Sequence, residues 1–188
     1  LMTNGEISES KLYQTDQQWA FDGRHIIYRS SGRAKGEGSQ IFALDDTTGE
    51  ITQITGGSGV SGSSIMVSRV ANKVYYLRRG ENGRQVLTKI DLTALLRDSA
   101  AGKISPKGYD TPLFALPEGF RIAGGFTIDA NDKTVYFGFG DPIPEGTQFP
   151  AQPRIHQWTG GLMAFDLATG ASHVVVRTHF TVGHIQAN

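Results

Sequence analysis

The fold is decided by the run Gln18-Trp19-Ala20-Phe21-Asp22-Gly23-Arg24-His25-Ile26-Ile27-Tyr28, because its pattern occurs three times along the chain. Each copy starts with a short apolar stretch, continues through a polar turn and ends in β-branched and aromatic residues. This order predicts a strand, a tight turn and a second strand. The second and third copies occupy residues 65–76 and 126–137. Self-similarity of this kind indicates a repeat architecture.

A second hairpin follows each copy, and its first strand ends in an apolar residue followed by aspartate. These strands read Ile41-Phe42-Ala43-Leu44-Asp45, Val86-Leu87-Thr88-Lys89-Ile90-Asp91 and Leu162-Met163-Ala164-Phe165-Asp166. Because the aspartates recur at the same place in every copy, we interpret them as turn residues and not as a catalytic pair. The repeating unit is therefore predicted to hold four antiparallel strands.

Four-stranded units that repeat at roughly 40 to 50 residues are typical of β-propeller blades. We predict an all-β chain that forms one partial propeller domain over residues 1–188. Its blades are expected at about 13–56, 57–118 and 119–178, and a fourth blade is expected to begin at 179–188. A β-sandwich would also give short strands, but it would not repeat this order. Since each blade covers its faces with two neighbours, the native protein is expected to continue beyond Asn188.

Three segments interrupt the repeat. Residues 92–98 are predicted to form a turn or two of helix that decorates a loop, with Asp91 as a possible N-cap. Residues 99–118 and 141–161 each contain several prolines and are predicted to be long loops, the second of them an insertion within the third blade. Loops of this length in a compact domain are usually functional or disordered.

Composition excludes several classes of function. The chain has 18 basic and 18 acidic residues and no cysteine. It therefore lacks the broad positive field of a nucleic-acid-binding protein, as well as disulfides, thiolate metal sites and a cysteine nucleophile. No apolar run approaches the roughly 20 residues of a membrane-spanning helix. We expect no nucleic-acid or membrane partner, and the compartment stays open between periplasm and cytoplasm.

The first blade resembles that of the oligogalacturonate lyase family, on residues 17–30 and 41–55. The run Val182-Gly183-His184-Ile185-Gln186 resembles the motif that opens the fourth blade in this family, and the insertion in the third blade falls where the family carries one. The phrase Phe21-Asp22-Gly23-Arg24 is also similar to repeats of TolB-type propellers, which have many functions. The later elements separate the lyase family from the general class.

The resemblance implies the N-terminal half of a seven-bladed propeller with TolB-like repeats. Family members cleave short pectin fragments by β-elimination with a bound divalent metal, typically manganese. Their metal ligands and proposed catalytic base lie in the C-terminal half. The resemblance therefore implies no metal site in this chain and no catalytic residue that can be named. We expect the chain alone to be inactive and its remaining blades to be its partners.

Three candidates for binding an acidic sugar lie at the start of the third blade or just after it. His184 and Gln186 are two residues apart, so on a strand their side chains face the same way. The alternative for His184 is a strand-end histidine that satisfies a neighbouring backbone group. Arg121 precedes Ala123-Gly124-Gly125, where small residues would let a ligand approach closely. The alternative is that these glycines relieve crowding near a propeller axis.

Four further residues are candidates for substrate binding. Arg154 and His156 lie in the third-blade insertion near Trp158, a group that suits a sugar acid, although the tryptophan could simply anchor its own loop. Gln17 precedes the first strand and could instead be a solvated lead-in residue. Arg29 is predicted to follow the second strand of the first blade and could instead form a surface or inter-blade ion pair.

Two functions of different classes remain open. The first is a metal-dependent lyase acting on acidic, uronate-containing oligosaccharides, of which this chain is a non-catalytic part. The second is a TolB-like propeller that serves as a non-catalytic scaffold for a protein or a sugar. A lyase predicts a polar funnel, whereas a protein-binding scaffold predicts an exposed apolar or mixed patch and no metal.

Overall fold

The computed structural model describes residues 7–12, 16–35, 37–60, 64–103, 108–140 and 160–187. Within them lie twelve β-strands and one α-helix, and the strands form three four-stranded sheets. The prediction of an all-β chain built from four-stranded units is confirmed. The chain divides into two compact units, Leu1–Leu116 with the first two sheets and Pro117–Asn188 with the third.

The first sheet has the antiparallel order β1-β2-β3-β4. Its strands are β1 (Glu9–Lys11), β2 (His25–Ser30), β3 (Gln40–Asp45) and β4 (Ile51–Gln53). The apolar stretch of the first repeat copy continues the pairing of β1 with β2, because Ala20 N–H donates to His25 O and Ile27 N–H donates to Gln18 O, both at 2.8 Å. The first sheet therefore begins with the strand Glu9–Lys11, before residue 13, where the first blade was predicted to start.

The second sheet has the order β5-β6-β7-β8 and contains the only helix of the described residues. Its elements are β5 (Ile65–Val67), β6 (Lys73–Arg79), β7 (Gln85–Asp91), α1 (Leu92–Ala100) and β8 (Asp110–Ala115). The prediction that residues 99–118 form one long loop is wrong, because Asp110–Ala115 within this range form the strand β8. Pro112 indicated a loop, but β8 is an edge strand, where proline is tolerated because the outer side of the strand needs no donor.

The third sheet has the order β9-β10-β11-β12. Its strands are β9 (Ile122–Ile128), β10 (Thr134–Gly140), β11 (Gly160–Asp166) and β12 (Ser172–Thr178). Residues 141–159 of the predicted insertion lie outside the described residues. Residues 179–187 carry no assigned strand, so the fourth blade stays a prediction.

The three recurrent aspartates play one structural role, as the sequence indicated. Each side chain accepts hydrogen bonds from the backbone N–H groups two and three residues ahead, a pattern that reverses or redirects the chain. The pairs are Asp45 to Thr47 and Thr48 at 2.9 and 3.2 Å, Asp91 to Thr93 and Ala94 at 2.9 and 3.4 Å, and Asp166 to Ala168 and Thr169 at 3.0 and 2.8 Å.

The helix is an insertion within the last hairpin of the second sheet. Asp91 N–H donates to Tyr109 O, just as Asp45 N–H donates to Glu50 O in the first sheet. The same aspartate geometry therefore makes a turn in one sheet and caps a helix in the other, which confirms Asp91 as the N-cap. The helix does more than decorate a loop, because Leu92 and Leu95 are buried in the core.

The core of the first unit lies between its two sheets. Side chains from one face of each sheet and from α1 form a single apolar cluster, which includes Ile27, Ile41, Ala43, Val74, Tyr76, Ile90 and Leu95. The turns of the two sheets are also joined, because Asp22 N–H donates to the side-chain oxygen of Asn72 at 2.7 Å. In the second unit, the core is aromatic and centres on Phe137, whose ring lies 5.3 Å from Phe126 and 5.4 Å from Phe165.

The capping role of Asp91 gives a first prediction. Asp91→Ala removes the acceptor for two helix N–H groups and should lower the free energy of unfolding by about 1 kcal/mol. Asp91→Asn keeps the acceptor and should be close to wild type. Urea unfolding followed by circular dichroism measures both, and an equal loss in the two variants would contradict the capping role.

The ion pair of Arg24 with Asp45 gives a second prediction. Arg24 Nη2 lies 2.5 Å from Asp45 Oδ2. This hydrogen bond, with those from Thr47 and Thr48, holds the pKa of Asp45 below its ordinary value of 3.8. Because the unfolded chain binds the proton more readily, this contribution is complete above about pH 5 and is lost as the pH falls through the folded-state pKa.

Asp45→Asn keeps the turn acceptor and removes the charge. It should therefore lower the unfolding midpoint at pH 7, and its difference from wild type should shrink below about pH 4. Asp46→Asn, at the neighbouring exposed aspartate, is the matched control. A difference between Asp45→Asn and wild type that stays constant down to pH 2.5 would contradict the assignment.

Candidate functional site

The candidate site lies at the edge of the third sheet, where residues 179–187 follow β12 and return to β9. We call these residues the C-terminal segment. Gly124 in β9 has φ +73°, and a Cβ atom built on it would lie 1.8 Å from the carbonyl oxygen of Gly183. Only glycine allows this approach, because both the positive φ and the lack of a side chain are needed.

The far end of the C-terminal segment is held by a hydrogen bond. Thr127 is buried, and its Oγ1 accepts from Ala187 N–H at 3.2 Å. Gly183 lies beside Gly124 and Ala187 beside Thr127, so this part of the segment runs along β9 in the same direction.

Glycines also mark the path by which the segment reaches β9. A Cβ atom on Gly160 in β11 would lie 2.6 Å from Phe180 O. One on Gly138 in β10 would lie 2.2 Å from Ala123 O of β9 and 3.0 Å from Val182 O. The segment therefore crosses the strands β11, β10 and β9 in turn, and at each crossing a glycine makes room for its backbone.

The structure brings three of the predicted residues to this edge. His184 and Gln186 are exposed, while Ile185 between them is half-buried. Because residues 179–187 carry no assigned strand, the shared direction of the two polar side chains stays a prediction. Arg121 is exposed at the start of β9, and its carbonyl accepts from Gly140 N–H at 3.1 Å. The predicted space beside Gly124 is filled by the backbone of Gly183, so it is not open to a ligand.

The other predicted residues do not join this group in the described structure. Gln17 is half-buried, and its Nε2 donates to Trp19 O at 2.9 Å, which fits a lead-in role. Arg29 lies within β2 and does not follow it as predicted, and it is half-buried between Ser10 and Ile41 of the adjoining strands. Both belong to the first unit. Arg154 and His156 lie outside the described residues.

Two partly buried polar clusters were not predicted. Glu9 forms an ion pair with Arg33, and burial, followed by the charge of Glu9, raises the pKa of the nearby Tyr28 to about 12. In the second sheet, Tyr76 donates to Asp110 at 2.8 Å, and Asp110 also pairs with Arg78 at 3.3 Å. The acidic residues of the two clusters, Glu9 and Asp110, lie in β1 and β8. These strands do not carry the repeated sequence pattern, so the pattern did not indicate the clusters. Thr127 was missed as well, although the neighbouring Gly124-Gly125 already indicated close backbone approach.

The described residues do not fit a divalent-metal site. Among them, no three histidine, aspartate or glutamate side chains lie close enough together to hold an ion. In the same part of the chain, no helix is both long and apolar enough to cross a membrane.

Solved structures with the same arrangement of strands include two oligogalacturonate lyases. One, in complex with manganese, has 17% identity and a TM-score of 0.69, over 95% of this chain and 43% of that chain. The other, from Vibrio parahaemolyticus, has 16% identity and a TM-score of 0.68, with the same coverage. The fold is that of a β-propeller.

A third structure widens the comparison. A protein from Agrobacterium tumefaciens described as a TolB has 14% identity and a TM-score of 0.58, over 100% of this chain and 56% of that chain. No family model matches the propeller sequence, and no curated protein matches it. The chain spans less than half the length of the two lyases. The resemblance seen in the sequence is thus supported at the level of the fold.

Proposed function

We propose that the protein carrying this chain is an oligogalacturonate lyase-like protein that cleaves uronate-containing oligosaccharides by metal-assisted β-elimination. In this proposal, the chain contributes substrate-binding residues and not the catalytic base. One observation carries it: the structure lays His184 and Gln186 along the edge of β9, at whose start Arg121 is exposed, on a propeller fold shared with two lyases.

The chemistry requires groups of this kind. β-Elimination from a uronate removes the weakly acidic proton at C5, and negative charge develops towards the neighbouring carboxylate. Arg121 offers paired N–H donors whose fork matches a carboxylate. His184 and Gln186 offer donors and acceptors suited to a carboxylate or a sugar hydroxyl. Together they would bind and orient the acidic sugar before the proton is removed.

A metal is part of the proposal for the full-length protein only. A divalent ion beside the uronate carboxylate stabilises the charge that develops there. One lyase with this fold was solved with manganese. Since the described residues do not fit such a site, we propose that manganese is held by residues outside this chain, and we assign it no step here.

A non-catalytic scaffold is the second candidate. The structural likeness to the TolB described above favours it, because that likeness also spans the whole chain. In this case the edge of β9 would bind a sugar or a protein without chemistry. The two candidates differ in whether an unsaturated product forms.

The test uses the full-length protein with manganese and oligogalacturonate, followed by the ultraviolet absorbance of the unsaturated product. We expect a rise in absorbance that a chelator abolishes. Arg121→Ala and His184→Ala should each raise KM about tenfold, because each removes a hydrogen bond to a charged group. Lys133→Ala, an exposed cation in the turn after β9, is the matched control and should behave like wild type.

Other results would contradict the proposal. A folded protein that binds no metal and forms no product would favour the scaffold. Product formation with an unchanged KM in both Arg121→Ala and His184→Ala would place the sugar elsewhere. Isothermal titration calorimetry with the same oligosaccharide separates loss of binding from loss of chemistry.

A further inference from the structure

We infer that Gly124 and Thr127 of β9 are positioning residues, which fix the backbone that presents His184 and Gln186 to an acidic sugar. The identity of the ligand rests on the proposed function. The anchoring itself rests on contacts within the third sheet and its C-terminal segment.

The first anchor is a backbone contact. The position that a Cβ atom on residue 124 would occupy lies 1.8 Å from Gly183 O, 2.3 Å from Gly183 C and 2.7 Å from Val182 O. All three atoms belong to the backbone, so no rotation of a side chain could relieve a clash. Any larger residue at position 124 must therefore move the segment away from β9.

The second anchor is the hydrogen bond from Ala187 N–H to Thr127 Oγ1, at 3.2 Å. Thr127 is 5% exposed with the segment in place, so in this arrangement its hydroxyl has little access to water. A buried acceptor without a partner is unfavourable, and this favours the docked position of Ala187.

The two anchors bracket the proposed binding residues. Gly183 immediately precedes His184, and Ala187 immediately follows Gln186, so both ends of the presenting stretch are held on the same strand. A stretch held at both ends loses less conformational entropy when it binds a ligand than a free one does. Loosening either anchor should therefore weaken binding without removing any group that touches the sugar.

The experiment compares matched variants of the full-length protein. Thr127→Val removes the acceptor and keeps the shape, whereas Thr127→Ser restores the acceptor. Gly124→Ala introduces the clash. Its control is Gly49→Ala, because Gly49 has φ +75° and no atom within 4 Å of its Cβ position. The control therefore shares the backbone strain but not the contact.

Two readouts are needed. The first is amide hydrogen exchange of residues 180–187, measured by mass spectrometry without any sugar. The second is the separation of KM from kcat with oligogalacturonate. In Thr127→Val and Gly124→Ala, we expect exchange and KM each to rise about tenfold, with kcat changed less than about twofold. Thr127→Ser and Gly49→Ala should match wild type in both readouts.

The outcomes separate this inference from the proposed function. Exchange that stays at the wild-type rate in Thr127→Val and Gly124→Ala overturns the anchoring, and faster exchange with an unchanged KM overturns the positioning role. A wild-type protein that binds no oligogalacturonate contradicts the proposed function instead. The exchange measurement then decides the anchoring alone, with faster exchange supporting it and unchanged exchange overturning it.

Discussion

The apolar contact between the first two sheets stabilises the first unit, and the other features are arranged around it. Ile27 and Ile41 of one sheet pack with Val74 and Tyr76 of the next in one buried cluster. Each buried aliphatic or aromatic side chain contributes about 1.5–3 kcal/mol, whereas an exposed ion pair is generally worth less than about 1 kcal/mol. Stability is therefore set by the covering of sheet faces, and the polar turns set where each strand ends.

The third sheet also covers its faces, and it does so in two ways. Phe120, Phe126, Phe137 and Phe165 form an aromatic cluster, while glycines on three strands let the C-terminal segment lie directly on the sheet. This arrangement connects the fold to the proposed function, because the segment that the sheet holds also carries His184 and Gln186. In the proposed function, packing therefore determines where these polar side chains meet the sugar.

The sequence predicted the features that repeat and the short helix after Asp91, whereas several other features that do not repeat were missed. The strand pairs and the recurrent aspartates were found because turn chemistry is local and periodic. The strand β8 was predicted as a loop because it contains a proline. An edge strand tolerates proline, so the residue did not prevent strand formation there. For the candidate site, His184 and Gln186 were predicted from a family resemblance and from their spacing, and their role in binding stays a prediction. The role of Thr127 could not be predicted, because its partner, Ala187, lies 60 residues away along the chain.

The most direct measurement is a crystal structure of the full-length protein soaked with a short oligogalacturonate. We predict density for a uronate at the edge of β9, with its carboxylate or a hydroxyl within hydrogen-bonding distance of His184, Gln186 or Arg121. The segment from Gly183 to Ala187 should keep its contacts with Gly124 and Thr127. A sugar bound elsewhere on the propeller, with these side chains free of it, would contradict the account.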